Sequence, residues 1–363
     1  MRQEEKKGSV MLFEVKDFDK KFYTEKLKDF LPDKIIDIHT HVWLDEFKSR
    51  EKEKNVRTVT WVRRVAKDNS IEDLMETYRL MFPGKQVTPM IFSSLARGDR
   101  IDDANDYIRR CGNEHAVPSL LYACPWWNGE VLEEKIKAGG FIGIKVYLSL
   151  SDPSIAANDI TIFDFLPHSQ LEVINRLGLI VILHIPRKDR FKDPVNLSQI
   201  LEIHEKYRNL KLIIAHVGRA YCDEDVGDSF EVLKKADRLL YDFSANTNSW
   251  VFEQLIRAVG PKRILFGSDM PILRMRMKRI TRGGVYINVV PKGLYGDVSN
   301  DKNMEETDRG EDLTFFMYEE IDAFRKASEA CGLRRGDIED IFFNNGAGLI
   351  RQTAAGRKFL FDN

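Results

Sequence analysis

The chain has 363 residues, of which 43% are hydrophobic and 31% charged, and its formal net charge is −1. That length accommodates one large domain with a sizeable core, while the near-neutral charge argues against a nucleic-acid-binding surface. Because no apolar run reaches the ~18 residues that span a bilayer and the charged start Met1–Gly8 lacks the apolar segment of a signal peptide, we expect a cytoplasmic protein without membrane attachment.

The segment 1–34 is a polar N-terminal extension that precedes the first predicted strand. Apolar residues at Phe22, Leu27 and Phe30 predict a helix there, and Pro32 ends it. We expect this helix to pack either on the outside of its own domain or on a partner subunit, as in a homodimer.

Eight short apolar runs follow and alternate with segments of helical periodicity. The predicted strands are Ile35–His41, Val87–Phe92, Val117–Ala123, Phe141–Leu148, Leu179–His184, Lys211–His216, Leu239–Ser244 and Arg263–Ser268. The predicted helices are 70–81, Ile101–Cys111, Glu130–Ala138, Ser169–Leu177, Leu197–Tyr207, Phe230–Ala236, Trp250–Val259 and Leu313–Cys331.

This alternation predicts an α/β fold, and eight repeats predict a (β/α)8 TIM barrel over residues 35–350. Continuous apolar strands are typical of parallel strands that are covered on both faces. An open doubly wound sheet is the alternative, but it would need a glycine-rich fingerprint after the first strand, where the sequence has His-Thr-His. Residues 271–310 contain few core-like side chains and predict a long irregular loop after strand eight, and residues 351–363 form a C-terminal tail.

The first predicted strand ends in Asp37-Ile38-His39-Thr40-His41. Side chains two residues apart on a strand point to the same face, so His39 and His41 can reach one cation together. The motif alone is a weak signal, because two histidines on one strand face are often unrelated surface residues.

Three further metal-ligating side chains stand at the ends of later strands: His184 after strand five, His216 after strand six and Asp269 after strand eight. The carboxyl ends of barrel strands converge on one face, so we expect all five side chains to line one pocket. Imidazole and carboxylate ligands suit Zn²⁺, with Mn²⁺, Fe²⁺ and Co²⁺ as alternatives, and such an ion lowers the pKa of bound water towards ~7.

Several segments resemble the amidohydrolase superfamily, specifically the amidohydrolase-related branch of TIM-barrel metal-dependent hydrolases and decarboxylases. The similar segments are Asp37–His41, Val181–His184, Leu212–Arg219, Tyr241–Ser244, Arg263–Pro271 and Asn344–Ala347. The resemblance runs from about residue 35 to 350, and it implies one divalent metal ion per chain.

The resemblance also implies roles for individual residues. His39, His41, His184 and Asp269 would bind the metal, and Asp269 would in addition accept a proton. His216 would be either a further ligand or the acid/base residue beside the metal, and we favour the second role.

Lys145 on strand four has two interpretations. Two-metal members of the superfamily carry a carboxylated lysine from that strand, whereas a mononuclear site leaves Lys145 to reach a substrate carboxylate, which we favour. Tyr147 follows it, and Arg187 and Arg219 follow the later histidines. Because arginine can grip a carboxylate with two hydrogen bonds, we expect these residues to bind a small anionic organic substrate. Arg274 and Arg276, beyond Asp269, are further candidates for the pocket mouth.

The sequence therefore predicts a metal-dependent hydrolase that uses a metal-activated water on an amide, ester or lactone bond. Non-oxidative decarboxylation of an aromatic or muconate-type acid on the same scaffold is the alternative. A catalytically silent barrel that only binds a ligand is a third hypothesis, which the presence of all five motif residues disfavours.

Overall fold

The computed structural model describes residues 12–49, 62–354 and 356–362 of the chain. The charged start Met1–Gly8 lies outside these residues. Within them, no helix is both long and apolar enough to cross a membrane.

Within the described part of the chain, eight parallel strands form the centre of the molecule. They are β1 Lys34–His41, β2 Gln86–Phe92, β3 Leu121–Tyr122, β4 Gly143–Val146, β5 Ile180–Leu183, β6 Lys211–Ile214, β7 Leu240–Asp242 and β8 Ile264–Leu265. β3 to β8 form a six-stranded sheet in chain order, and β1 pairs with β2 in a separate ladder. Every pair is parallel, so the predicted α/β class is confirmed.

Backbone hydrogen bonds connect the two sheets on both sides. At one seam, Asp269 N donates to His39 O at 2.7 Å. At the other, Leu120 N donates to Ile91 O and Ile91 N donates to Pro118 O, both at 2.9 Å. The regular ladder breaks at these seams, where β3 and β8 are only two residues long.

Helices lie before the first strand, between the strands and beyond the last of them. Their bounds are Asp17–Phe22, Val62–Val65, Ile71–Met81, Ile101–Glu114, Gly129–Gly139, His168–Leu177, Pro194–Lys206, Ser229–Val232, Ser249–Val259, Phe316–Ala330, Arg335–Glu339 and Asn345–Thr353. Some helices begin and end at the residues that the sequence predicts. Ser70 accepts a hydrogen bond from Asp73 N at the start of the helix Ile71–Met81, and Gly178 ends the helix His168–Leu177 in the left-handed conformation.

Two apolar layers hold the strands in place. Ile36, Ile182 and Ile213 belong to an inner cluster, which residues near the C-terminus such as Phe359 complete. Alternate residues such as Val181 join a larger cluster with the surrounding helices. Both faces of the strands are therefore buried, which explains why they are continuously apolar in sequence.

The prediction of a long irregular loop over residues 271–310 is wrong. This segment contains three strands, β9 Lys278–Arg282, β10 Val285–Pro291 and β11 Met304–Thr307, with β10 in the middle. β9 and β10 form an antiparallel hairpin around Gly283 and Gly284, whose φ angles are 58° and 73°. A Gly-Gly pair between two β-prone runs is a hairpin signal, because both turn residues need positive φ.

The N-terminal helix packs on its own chain. Phe22 stacks on Tyr318 with 6.1 Å between the ring centroids. Asp19 is fully buried and accepts two hydrogen bonds from Arg276, at 2.9 and 2.6 Å, and one from Thr314. The extension is thus tied by a buried, bidentate ion pair to the segment that follows β8.

Arg276→Met should lower the free energy of unfolding by about 3–5 kcal/mol, because it leaves the Asp19 carboxylate buried without its counter-charge. Urea unfolding followed by circular dichroism measures this. Lys20→Met, which breaks the exposed pair with Asp17, is the control and should leave the stability nearly unchanged, because water screens that pair. Equal stabilities for the two variants would contradict the assignment.

Glu320 is a fully buried carboxyl group on the helix Phe316–Ala330. Its Oε2 accepts a hydrogen bond from Asn246 N at 3.4 Å, and its Oε1 has no partner among the described residues. Burial, followed by repulsion from Asp37, raises the pKa of Glu320 well above its ordinary 4.5. The folded protein therefore keeps this proton at pH values at which the unfolded chain has lost it.

Glu320→Gln should flatten the decline of stability with pH. Above pH 4.5 the unfolded state binds fewer protons at this position than the folded state, so the wild-type protein loses up to about 1.4 kcal/mol per pH unit from this group. Urea unfolding at several pH values from 5 to 8 measures the slope. Glu339→Gln on the surface serves as the control, and identical slopes for wild type and Glu320→Gln would refute the prediction.

Candidate active site

A bulge in β1 aims the two histidines of the His-x-His motif. Asp37 pairs with Pro89 and Thr40 with Ile91, so β1 contains one residue more than β2 between these points. A bulge of this kind switches the face to which the following side chains point. The bulge therefore decides which face of β1 carries the side chains of His39 and His41 at the carboxyl end of the strand.

His39, His41 and Asp269 come together in one tight group. Asp269 Oδ1 lies 3.1 Å from His41 Nε2 and 3.5 Å from His39 Nε2. One ligand atom from each of these three residues lies within 4.8 Å of the others, a spacing that could hold a metal ion. His39 and His41 lie at the end of β1 and Asp269 follows β8, so the group lies at the seam between these two strands.

The other ring nitrogens of both histidines are occupied. His39 Nδ1 donates to Asp242 Oδ2 at 2.9 Å, and His41 Nδ1 donates to the carbonyl of Ser93 at 3.0 Å. With the proton on Nδ1, the His39 ring presents the lone pair of Nε2 towards the site, while His41 Nε2 lies at hydrogen-bond distance, 3.1 Å, from Asp269 Oδ1. Such outer hydrogen bonds orient histidine ligands in metal sites.

The charge states of the group suit a cation. Burial and the Lys145 charge lower the pKa of His39 to about 3, so its ring is neutral. Burial alone would raise the pKa of Asp269, but the hydrogen bond from His41 and the charges of neighbouring histidines lower it to about 2. The site at neutral pH thus offers neutral imidazole and an ionised carboxylate.

His216 lies beside this group. Its ring centroid is 4.9 Å from that of His39, and its Nδ1 donates to the carbonyl of Ser244 at 3.1 Å. Burial lowers its pKa. His216, His39 and Asp242 form a second group with ligand atoms within 4.8 Å, but His39 Nδ1 and both Asp242 oxygens in it are engaged in hydrogen bonds.

The chain around His216 makes a left-handed turn. The φ angles of His216, Val217, Gly218 and Arg219 are 58°, 48°, 63° and 60°, and Asp269 has a φ of 58°. A left-handed conformation is unfavourable for non-glycine residues and above all for β-branched Val217. Strain of this kind concentrates at functional sites, where the surrounding packing maintains it.

His184 lies at the edge of the site. Its ring centroid is 5.3 Å from that of His216 and 4.7 Å from that of Tyr147. It does not belong to either ligand group, yet its Nδ1 is buried and has no hydrogen-bond partner among the described residues. A buried nitrogen without a partner is costly, so His184 fits a position that awaits a ligand.

Lys145 points into the same space. Its Nζ lies 3.4 Å from His39 Nε2, the atom that also faces Asp269. Burial lowers its pKa to about 8, while the charges of Asp242 and Asp269 oppose that shift. The Lys145 ammonium group therefore lies among the histidines, next to the His39 nitrogen that would bind a cation.

The residues present fit a divalent metal ion. The Nε2 atoms of two histidines and one carboxylate oxygen converge, and the buried Nδ1 of His184, whose ring packs on that of His216, has no partner among the described residues. This donor set of nitrogen and oxygen suits Zn²⁺ and other borderline divalent ions.

The residues that the sequence predicts at the pocket mouth have different partners in the structure. Tyr147 packs on the ring of His184. Arg219 donates to the carbonyls of residues 185–187 at 3.1–3.2 Å, whereas Arg187 is engaged by Asp193 at 3.0 Å.

Arg274 and Arg276 bind elsewhere in the fold. Arg276 pairs with Asp19, and Arg274 donates to Asn69 Oδ1 at 3.0 Å. Both guanidinium groups are therefore held by partners away from the histidine group.

The sequence prediction assigned no role to Asp242 or Ser244. The Asp242 carboxylate accepts from His39 with one oxygen and from His216 N and Ser244 Oγ with the other, at 2.9 and 2.5 Å. The available signal was its position at the end of strand seven, where a buried carboxylate needs partners.

Parallel strands with histidines and a carboxylate at their carboxyl ends define a class of metal-dependent α/β enzymes. A family model described as Amidohydrolase matches residues 36–279. The chain belongs to this amidohydrolase family, as the sequence resemblance predicted. A search of curated proteins finds no match to the chain.

Solved structures share the fold at low sequence identity. An amidohydrolase from Burkholderia multivorans with bound zinc has 11% identity and a TM-score of 0.53, covering 88% of this chain and 99% of its own. A dihydroxybenzoic acid decarboxylase from Polaromonas sp. JS666, with manganese and 2-nitroresorcinol, has 15% identity and a TM-score of 0.53, covering 88% and 97%. A probable 2-pyrone-4,6-dicarboxylic acid hydrolase from Acinetobacter baumannii, with citric acid, has 14% identity and a TM-score of 0.51, covering 87% and 99%. Their shared family implies a TIM-barrel arrangement for the strands and helices described above.

Asp242→Asn should weaken Zn²⁺ binding by about 10–100-fold, because the amide no longer accepts the His39 Nδ1 proton with a full negative charge. Competition with a chromophoric chelator measures the affinity. Asp237→Asn, on the exposed surface beside His204, is the matched control. An unchanged affinity in a folded Asp242→Asn protein would contradict this role.

Proposed function

We propose that the protein is a metal-dependent hydrolase that cleaves an amide, ester or lactone bond of a small anionic organic substrate. The convergence of His39 Nε2, His41 Nε2 and the ionised Asp269 carboxylate carries this proposal. We further propose that the two sheets close into one eight-stranded barrel, since hydrogen bonds bridge both seams.

His39, His41 and Asp269 would hold the ion, with His184 as the further ligand, and Zn²⁺ is the ion we favour. When bound, such an ion supplies Lewis acidity and lowers the pKa of water enough to give hydroxide near neutral pH. The protein contributes the orientation of its ligands, because Asp242 and the Ser93 carbonyl hold the two imidazole rings.

Asp269 and His216 are the groups we propose for proton transfer. The Asp269 carboxylate is ionised and can accept a proton beside the substrate. The Nδ1 proton of His216 is held by Ser244, so its Nε2 is the atom available to exchange a proton. Lys145 and Tyr147 line the same space, and we propose that they contact the substrate together with Arg219.

Non-oxidative decarboxylation is the second candidate. The decarboxylase with a similar fold carries a metal ion, and the residues described here would serve that reaction equally well by positioning a carboxylate-bearing substrate. Asp269 or His216 would then deliver a proton to carbon. The supporting observation is that the fold relatives include both reaction types.

Asp269→Asn should reduce turnover by about 10²–10⁴-fold, because the amide cannot accept a proton and is a poorer ligand. The assay is a panel of lactones, esters, amides and aromatic acids with the metal-loaded protein, and metal content is measured in parallel. Asp237→Asn is the control and should retain full activity. Full activity of Asp269→Asn at full metal content would end the mechanism proposed here.

The same panel separates the two reactions. Hydrolysis consumes water and yields a new carboxylate without gas, whereas decarboxylation releases one carbon dioxide per turnover. Release of carbon dioxide that is lost in Asp269→Asn would replace the hydrolase by the decarboxylase. Specific binding without any turnover would favour a silent ligand-binding barrel.

A further inference from the structure

Two arginines and two tyrosines form a cluster where the β9–β10 hairpin meets the loops after β5 and β6. We call Arg190, Tyr221, Arg279 and Tyr286 the arginine–tyrosine cluster. The two tyrosine ring centroids are 5.0 Å apart at 67°. The Arg279 guanidinium carbon lies 4.8 Å from the Tyr221 centroid and 4.7 Å from that of Tyr286, and Arg190 lies 5.3 and 4.9 Å from the same rings.

The cluster holds two like charges close together on the same rings. Cation–π contacts favour each arginine separately, but two guanidinium groups on one pair of rings repel each other. Burial, with a further contribution from Arg190, lowers the pKa of Arg279, while Tyr286 and Tyr221 oppose this shift. The arrangement therefore needs negative charge nearby.

The described residues supply only part of that charge. Asp225 pairs with Arg190 at 2.6 Å. Arg279 donates to the neutral oxygens of Ala245, at 2.6 Å, and Asn288, at 2.8 Å. No carboxylate of the described residues forms an ion pair with Arg279, so one positive charge of the cluster is uncompensated there.

Arg219 adds a second positive charge that no carboxylate of the described residues pairs with. Its guanidinium donates to the backbone carbonyls of residues 185–187. Two of these carbonyls belong to Ile185 and Pro186, which directly follow His184, so Arg219 borders the His184 side of the candidate active site.

A short path of backbone also connects the cluster to His216. Arg279 Nη1 binds the carbonyl of Ala245, and the carbonyl of the preceding residue, Ser244, accepts the His216 Nδ1 proton. The cluster consequently borders the candidate active site, at the His216 side rather than the His41 side.

We propose that the arginine–tyrosine cluster is a substrate subsite that binds a carboxylate remote from the reacting bond. The proposal rests on the proposed function and deepens it, because it makes the substrate a planar organic acid with at least two polar ends. One end reaches Asp269 and His216, and the other places its carboxylate between Arg279 and Arg219. Tyrosine faces favour a flat carbon skeleton, and guanidinium groups favour carboxylate.

Equilibrium binding to the metal-loaded protein tests the subsite without turnover. The probes are benzene-1,3-dicarboxylate and benzoate, titrated by calorimetry at low and high salt. We expect the wild-type protein to bind the dicarboxylate about tenfold or more tightly than benzoate. Arg279→Gln should abolish this preference.

Arg282→Gln is the matched control. Arg282 lies on the same strand, β9, but it is exposed and pairs with Glu305, so its removal should leave the preference unchanged. Arg279→Lys retains the charge without the planar donor pair and should keep only part of the preference. This variant also replaces Arg279→Gln if the latter does not fold.

Two results would overturn the subsite. One is a wild-type protein that binds both probes equally, and the other is an Arg279→Gln or folded Arg279→Lys protein with the full wild-type preference. Failure of the proposed function has a different signature. In that case no ester, amide, lactone or acid is turned over, yet the dicarboxylate preference is still lost in Arg279→Gln and kept in Arg282→Gln.

Discussion

The buried carboxylate of Asp242 is the interaction on which the site depends. One oxygen accepts from His39 Nδ1 at 2.9 Å, and the other accepts from His216 N at 2.9 Å and from Ser244 Oγ at 2.5 Å. A fully buried carboxylate is stable only when such partners compensate its lost hydration. Against the opposing effect of burial, electrostatic attraction to His39 and the hydrogen bonds from His39 and Ser244 lower the pKa of Asp242. The same carboxylate therefore joins the ends of β1, β6 and β7 and sets the orientation of the His39 ring.

The backbone at these strand ends is held in conformations that it would not adopt alone. His216, Val217, Arg219 and Asp269 all have positive φ, at a cost of about 1–3 kcal/mol for each strained residue. Val217 is fully buried, so core packing compensates part of this cost. The backbone is also closely packed at Gly267, because a Cβ at that position would lie 2.8 Å from the Cβ of His39. Strain and close packing together fix where the imidazole and carboxylate groups stand.

Sequence reasoning succeeded where the signal was local. Strand β2 was predicted at Val87–Phe92 and observed at Gln86–Phe92, because its apolar run is buried on both faces. Reasoning from the strand ends brought His39, His41 and Asp269 together correctly. It failed over residues 271–310, where the Gly283–Gly284 turn of a hairpin was counted as loop composition. It also could not assign Arg276, because the partner Asp19 lies 257 residues away in the chain.

The sequence by itself determined the class of the fold, the family and the side chains that meet at the strand ends. The periodicity of apolar residues, the apolar runs and the positions of the histidines can all be read from the sequence. Because the carboxyl ends of parallel strands converge, side chains at those ends lie close together in the fold. Only the tertiary structure decided which nitrogen of each histidine faces the site, since that depends on Asp242 and the Ser93 carbonyl. It alone decided which arginines are compensated, because Arg187 and Arg276 have carboxylate partners and Arg279 has none among the described residues. The Arg276–Asp19 pair, whose members are 257 residues apart, arises from packing between distant segments, which no local pattern in the sequence records.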